Sequence, residues 1–121
     1  MDFADKMRER TKQYSLQLIR LYTELPKTAE YQVIGKQFLR AGTSVGAQFR
    51  EGIRAKSRND LISKTEGCLQ ELEETLYWLE LLAEIIPDKK DKIFPLQEET
   101  EELIKIFVTS VNKLKLITHN S

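Results

Sequence analysis

The sequence predicts an all-α fold: an antiparallel, up-down-up-down four-helix bundle in a single domain over residues 1–121. Three observations predict it. Apolar residues recur at steps of three, four or seven along four stretches, the period of a helix buried on one face. There are only five glycines and three prolines, and Pro26 and Pro87 fall where that period breaks. The links between stretches are short, which sets successive helices antiparallel. With 121 residues, 40% apolar and 31% charged, the chain can bury one core but not two.

The first helix, residues 3–25, carries Phe3, Met7, Tyr14, Leu18, Leu21 and Leu25 on one face, and Pro26 stops it. Thr28 stands where a hydroxyl caps the second helix, residues 29–55, by accepting from a free backbone amide. That helix aligns Ile34, Phe38, Ala41, Val45 and Phe49 despite glycines at 35, 42 and 46. An interior glycine costs ~1 kcal/mol against alanine, so these need a packing reason. Gly42 and Gly46, four apart, leave a flat strip that another helix can approach closely. The third helix, residues 58–86, begins after Gly52 to Ser57, where Ser57 and Asp60 have the spacing of a capping pair. Its stripe is Leu61, Thr65, Cys68, Leu72, Leu76, Leu79 and Ala83. The fourth, residues 92–117, has Leu103, Ile106 or Phe107, Ser110, Leu114 and Ile117 on its core face, with Glu98 to Glu102 as an acidic first turn.

Helices three and four have more apolar surface than one face requires. Tyr77, Trp78, Leu81 and Ile85, with Ile104, Val108 and Val111, form a second apolar face that predicts contact with further copies of the chain, a homo-oligomer. No apolar run approaches the ~20 residues of a membrane span, and the first twenty residues lack a secretory pattern. A cytoplasmic protein with no membrane partner is expected. Cys68, the lone cysteine, falls in an apolar register and reads as a core residue.

Enzyme chemistry lacks its usual parts. His119 is the only histidine and sits near the C-terminus, which removes Ser-His-Asp, Cys-His and zinc-histidine arrangements and the paired Glu-x-x-His of di-iron bundles. Gly42 to Gly46 lacks the Gly-Lys-Ser/Thr ending of a phosphate loop and lies in a helical pattern. Glu51 has no second carboxylate to work with and reads as a salt bridge or as a contact to the turn near Ser57. No catalytic residue, metal, cofactor or small-molecule substrate is expected.

Net charge is zero, but residues 31–60 carry +4 and residues 61–121 carry −5. Lys36, Arg40, Thr43, Ala47, Arg50, Arg54 and Arg58 succeed one another at helical spacing, with Lys56 alongside, and no arginine follows Arg58. Like charges four apart repel, so such a stripe calls for anionic partners. One reading pairs it with the backbone phosphates of RNA or DNA, which the planar guanidinium fork suits. The other neutralises it internally through Glu71, Glu73, Glu74 or the Glu98 to Glu102 run, leaving a protein-interaction scaffold.

The stretch Ser44-Val45-Gly46-Ala47-Gln48-Phe49-Arg50-Glu51-Gly52, then Arg54-Ala55-Lys56-Ser57-Arg58-Asn59-Asp60-Leu61, resembles the bacterial four helix bundle protein family, also called the 23S rRNA intervening-sequence protein or S23 family. The likeness runs on through Glu74 to Leu82. Gln48 stands where that family usually has Asn, and Asp60-Leu61 where it commonly has Glu-Phe. Gly42, Ser44, Gly46, Glu51, Gly52 and Ser57 form the structural part of the motif. The resemblance implies a homopentamer around a central axis. It also implies similarity to the accessory variability protein of diversity-generating retroelements, a basic pentamer working with RNA and a reverse transcriptase.

Overall fold

The computed structural model describes the backbone of residues 2–120 and the side chains of residues 2–117; His119 lies outside the described side chains. The elements are α1 (Phe3–Thr23), α2 (Ala29–Ile53), α3 (Arg58–Ile85), a 3-10 turn (Pro87–Lys89) and α4 (Lys90–Asn120).

Helix ends follow local chemistry. Asp2 caps α1 by accepting from the Asp5 amide at 2.8 Å. Ser57 caps α3 by accepting from the Asp60 amide at 3.1 Å. Thr28 occupies the α2 cap position but accepts no backbone amide. Its hydroxyl donates instead to the Glu30 carboxylate, 3.0 Å away. The fourth helix begins before the expected residue 92, because the 3-10 turn at Pro87 feeds directly into it. Pro95 therefore lies inside α4, near its start, and gives up the amide that would otherwise bond one turn back. The Glu98 to Glu102 run accordingly sits beyond the first turn.

Pairings between helices run in opposite directions, which gives the up-down-up-down order. Between α1 and α2, Gly46 faces Thr11, Gly42 faces Leu18 and Gly35 faces Tyr22. Between α2 and α3, the Cys68 thiol donates to the Val45 carbonyl at 3.4 Å. Lys115 of α4 pairs with Glu66 of α3 at 3.0 Å. Between α4 and α1, Arg10 grips Glu99 with both arms of its fork, at 2.7 and 2.8 Å, and Lys92 pairs with Glu24. This last seam makes the fewest contacts. Its centre is held by Tyr14, whose hydroxyl meets Thr100 Oγ1 at 2.6 Å.

The core runs through Met7, Tyr14, Leu18, Phe38, Val45, Cys68, Leu72, Leu79, Leu82, Ile93, Leu103 and Phe107. Burial raises the Tyr14 hydroxyl's pKa, which bonds to Thr100 and Thr75 only partly offset, and burial pushes the Cys68 thiol up to about 12. Cys68 is therefore an inert thiol near neutral pH.

Several expected stripe positions shift by one residue. In α3, Ile62 and Thr75 are buried while Leu61 and Leu76 are half-buried, and in α1 Thr11 joins the core while Phe3 is 52% exposed. Ile34 and Phe49 of α2 are half-buried, and Ile117 is exposed. The buried threonines share one solution. Thr11, Thr65, Thr75 and Thr100 each donate to the carbonyl four residues earlier, at 2.6–2.7 Å, so a hydroxyl enters the core already paired.

Candidate nucleic-acid interface

The C-terminal half of α2 meets α1 through its glycines and carries Arg50 and Arg54 beside that contact. Gly42 and Gly46 face α1, where a Cβ on Gly42 would overlap Leu18 Cδ1 and one on Gly46 would lie 3.2 Å from Thr11 Oγ1. The opposite edge faces α3 and solvent. There Thr43 and Ser44 turn their hydroxyls onto the Leu39 and Arg40 carbonyls, at 2.6 Å each, and offer no donor outward. Glu51 pairs with Lys64 of α3 at 3.3 Å, and Gly52 lets the Lys64 side chain approach, since a Cβ there would lie 3.3 Å from Lys64 Cβ.

The basic stripe divides in two. Arg40 is bound internally, its guanidinium reaching Glu74 at 2.7 Å and Glu71 at 3.4 Å. The Glu74 hydrogen bond and the nearby Glu71 charge raise the Arg40 pKa, and Arg40 lowers that of Glu74. Glu74 also accepts from Trp78 Nε1 at 3.2 Å. Arg40 is thus satisfied within the chain.

Lys36, Arg50, Arg54, Lys56 and Arg58 are exposed, and among the described residues none has an ion pair or a side-chain hydrogen bond. Four of the five gather at the end of α2 and the turn into α3; Lys36 lies farther back along α2. Arg8 of α1 adds to the group, lining one depression with Arg50, Glu51, Ile53 and Arg54 while its own guanidinium touches Asp5 at 2.9 Å. Arg8 is absent from the stripe read along α2. Only the antiparallel register of α1 against α2, with Thr11 opposite Gly46, brings it there.

Helix dipoles act unequally on this cluster. Arg50 lies in the last turn of α2 and Arg54 caps it, positions where a cation is favoured. Lys56 and Arg58 flank Ser57, the N-cap of α3, where a cation meets the positive end of a helix at a cost of a few tenths of a kcal/mol or more. Fold stability gives no reason for these two charges.

The second apolar face is mixed. Tyr77, Ile85 and Val108 are 54%, 40% and 41% exposed, and Trp78, Leu81 and Ile104 are half-buried. Trp78 packs edge-on against Tyr77 with ring centres 5.3 Å apart. Val111 is a correction: it is buried, because the α4 core stripe runs Leu103, Phe107, Val111 rather than through Ser110 and Leu114. Ile19, Val33, Phe94 and Leu116 are exposed apolar residues that lay outside the expected face.

Among the described residues no group of three or more His, Cys, Asp or Glu could hold a metal ion, and no helix is long and apolar enough to cross a membrane. No curated protein matches the chain. A crystal structure of a protein of unknown function from the S23 ribosomal protein family of Bacteroides thetaiotaomicron superposes with a TM-score of 0.79 at 32% identity, covering 86% of this chain and 96% of that one. The family model for the 23S rRNA-intervening sequence protein matches residues 5–109. Sequence pattern and helical architecture thus agree, and the chain belongs to the 23S rRNA-intervening sequence protein family.

Proposed function

We propose that the chain is a non-enzymatic accessory protein of the cytoplasm that binds RNA or DNA through backbone phosphates, using Arg50, Arg54, Lys56 and Arg58. One observation carries the reading: exposed cations without partners gather at one end of the bundle, two of them where the α3 dipole opposes them. A phosphate would supply the missing counter-charge. Arginine forks grip it by two hydrogen bonds. Contacts of this kind give affinity with little choice of sequence. Arg40, neutralised by Glu71 and Glu74, stays outside the proposed surface and favours a scaffold role for that part of α2.

Fluorescence anisotropy with labelled single-stranded RNA at low salt tests the reading. The double variant Arg50→Ala, Arg54→Ala should bind about tenfold more weakly, while Arg40→Ala changes affinity little. No binding by the wild-type chain at low salt, or equal binding by all three proteins, would remove the nucleic-acid role and leave the interaction scaffold.

Self-association belongs to the same proposal, as a homopentamer built on the exposed apolar side chains of α3 and α4, Tyr77, Ile85 and Val108. Several such bundles would set their basic ends side by side. This would make a surface suited to a nucleic acid or to an enzyme that works on one, such as a reverse transcriptase. Light scattering behind size exclusion should give a mass several times 14.1 kDa. A single subunit at micromolar concentration would contradict the assembly.

A further inference from the structure

An apolar cavity of about 300 Å³ opens at the same end of the bundle as the unpaired arginines. Its walls come from all four helices. Phe3 of α1 packs edge-on against Phe49 of α2, with ring centres 6.4 Å apart, and Phe49 lies 5.9 Å from Phe107 of α4. The three rings thus lead from solvent to the core, since Phe3 is 52% exposed and Phe107 is fully buried. Ser110 and Lys113 of α4 also line the cavity. Ile53 lines it too, and Ile53 equally lines the depression formed by Arg8, Arg50, Arg54 and Glu51, whose carboxylate is already paired with Lys64. A greasy, aromatic recess and a cationic groove therefore share a wall.

We propose that this cavity takes one unstacked base of a single-stranded nucleic acid whose flanking phosphates lie on Arg50 and Arg54. The inference rests on the phosphate-binding reading above and names the strand state it prefers. Charge decides the occupant. A purely apolar ligand leaves the neighbouring guanidinium groups unused, whereas a nucleotide offers a planar ring on one side and an anion on the other. The volume stands at the small end of ligand sites, enough for a single ring system rather than an extended cofactor. Phe3 is half open to solvent, which leaves part of its ring available for stacking of the kind that single-strand binders use.

The site should accept any base. The Ser110 hydroxyl already donates to the Ile106 carbonyl, and no buried side-chain polar atom among the described residues lacks a hydrogen-bond partner. The Lys113 ammonium rides on a long, exposed side chain rather than at a fixed position, so stacking dominates and sequence matters little. A duplex keeps its bases stacked on one another and cannot use the recess.

The test compares two probes on the whole protein: a short single-stranded RNA, and the same strand with abasic sugars, which keeps every phosphate and removes the bases. The wild-type chain should prefer the base-bearing strand by about tenfold. Phe3→Ala, which removes an exposed side chain, should shrink that preference to about twofold or less without weakening binding of the abasic strand. Ser110→Leu, which fills the recess, should do the same. Arg50→Ala should weaken both probes in parallel. Equal affinity of the wild type for the two strands, or a preference untouched by both Phe3→Ala and Ser110→Leu, overturns the base site and leaves phosphate binding standing. Failure of both probes to bind at low salt overturns both readings together.

Discussion

Phe38→Ala should lower the free energy of unfolding by about 3–5 kcal/mol, the usual cost of deleting a buried aromatic ring. Phe38 is fully buried, and its ring meets that of Tyr22 edge-on with centres 6.5 Å apart. The loss has two parts: the transfer energy of the missing ring and the void left where α1 and α2 cannot close up. The α1–α2 contact is already set by a glycine strip, so the backbones have little distance left to collapse. Urea unfolding followed by circular dichroism measures the effect. In a chain of 121 residues the melting temperature should drop by more than about 10 °C. A loss below about 1 kcal/mol would mean that Phe38 is not a core ring.

Gly42→Val should cost about 3 kcal/mol by the opposite route. A Cβ at residue 42 would overlap Leu18 Cδ1, and Thr75 Cγ2 lies 3.6 Å away on the α3 side. Leu18 has no exposed route of escape, being fully buried. Overpacking of a dense core typically costs 1–3 kcal/mol, and a branched side chain pushes toward or past the top of that range. Helix propensity works the other way, since glycine is the poorer helix former by up to about 1 kcal/mol. Sterics win because propensity cannot move Leu18. Thermal melts of Gly42→Val beside Gly42→Ala separate the two terms: Ala should lie between wild type and Val. If Val proved as stable as the wild type, the close approach of α1 to α2 would be wrong.

Helix number, order and most limits were legible because periodicity and prolines are local signals. Met7, Tyr14, Leu18, Phe38, Val45, Cys68, Leu72 and Leu103 fall on the buried side where the apolar spacing puts them. The misplacements have a common origin. Thr11 and Thr75 read as polar in the sequence, yet each spends its hydroxyl on the preceding turn and packs its methyl inward. A stripe through Ser110 puts Val111 on the second face, whereas the structure buries it. Burial depends on which side meets α3, and that is a tertiary fact. The fourth helix begins before residue 92 because the turn at Pro87 leads straight into it, a continuity that apolar spacing does not record.

The candidate site was legible in part. Helical spacing collects Arg40, Arg50, Arg54 and Arg58 into a row, but cannot say which cations have partners. Only the α2–α3 register brings Glu71 and Glu74 to Arg40 and leaves the turn cations free. Arg8 and the recess beside Ile53 are beyond any single-helix pattern, since α1 reaches the end of α2 through the antiparallel fold.

The salt dependence of binding by single-stranded RNA tests the phosphate surface most directly. Each phosphate contact with a single strand contributes about 0.7 to the slope of log K against log salt concentration. Replacing Arg50 and Arg54 together by alanine should make that slope shallower by about 1.4, with Arg40→Ala leaving it as in the wild type. A slope unchanged by the double substitution would contradict the assignment of these arginines to phosphate.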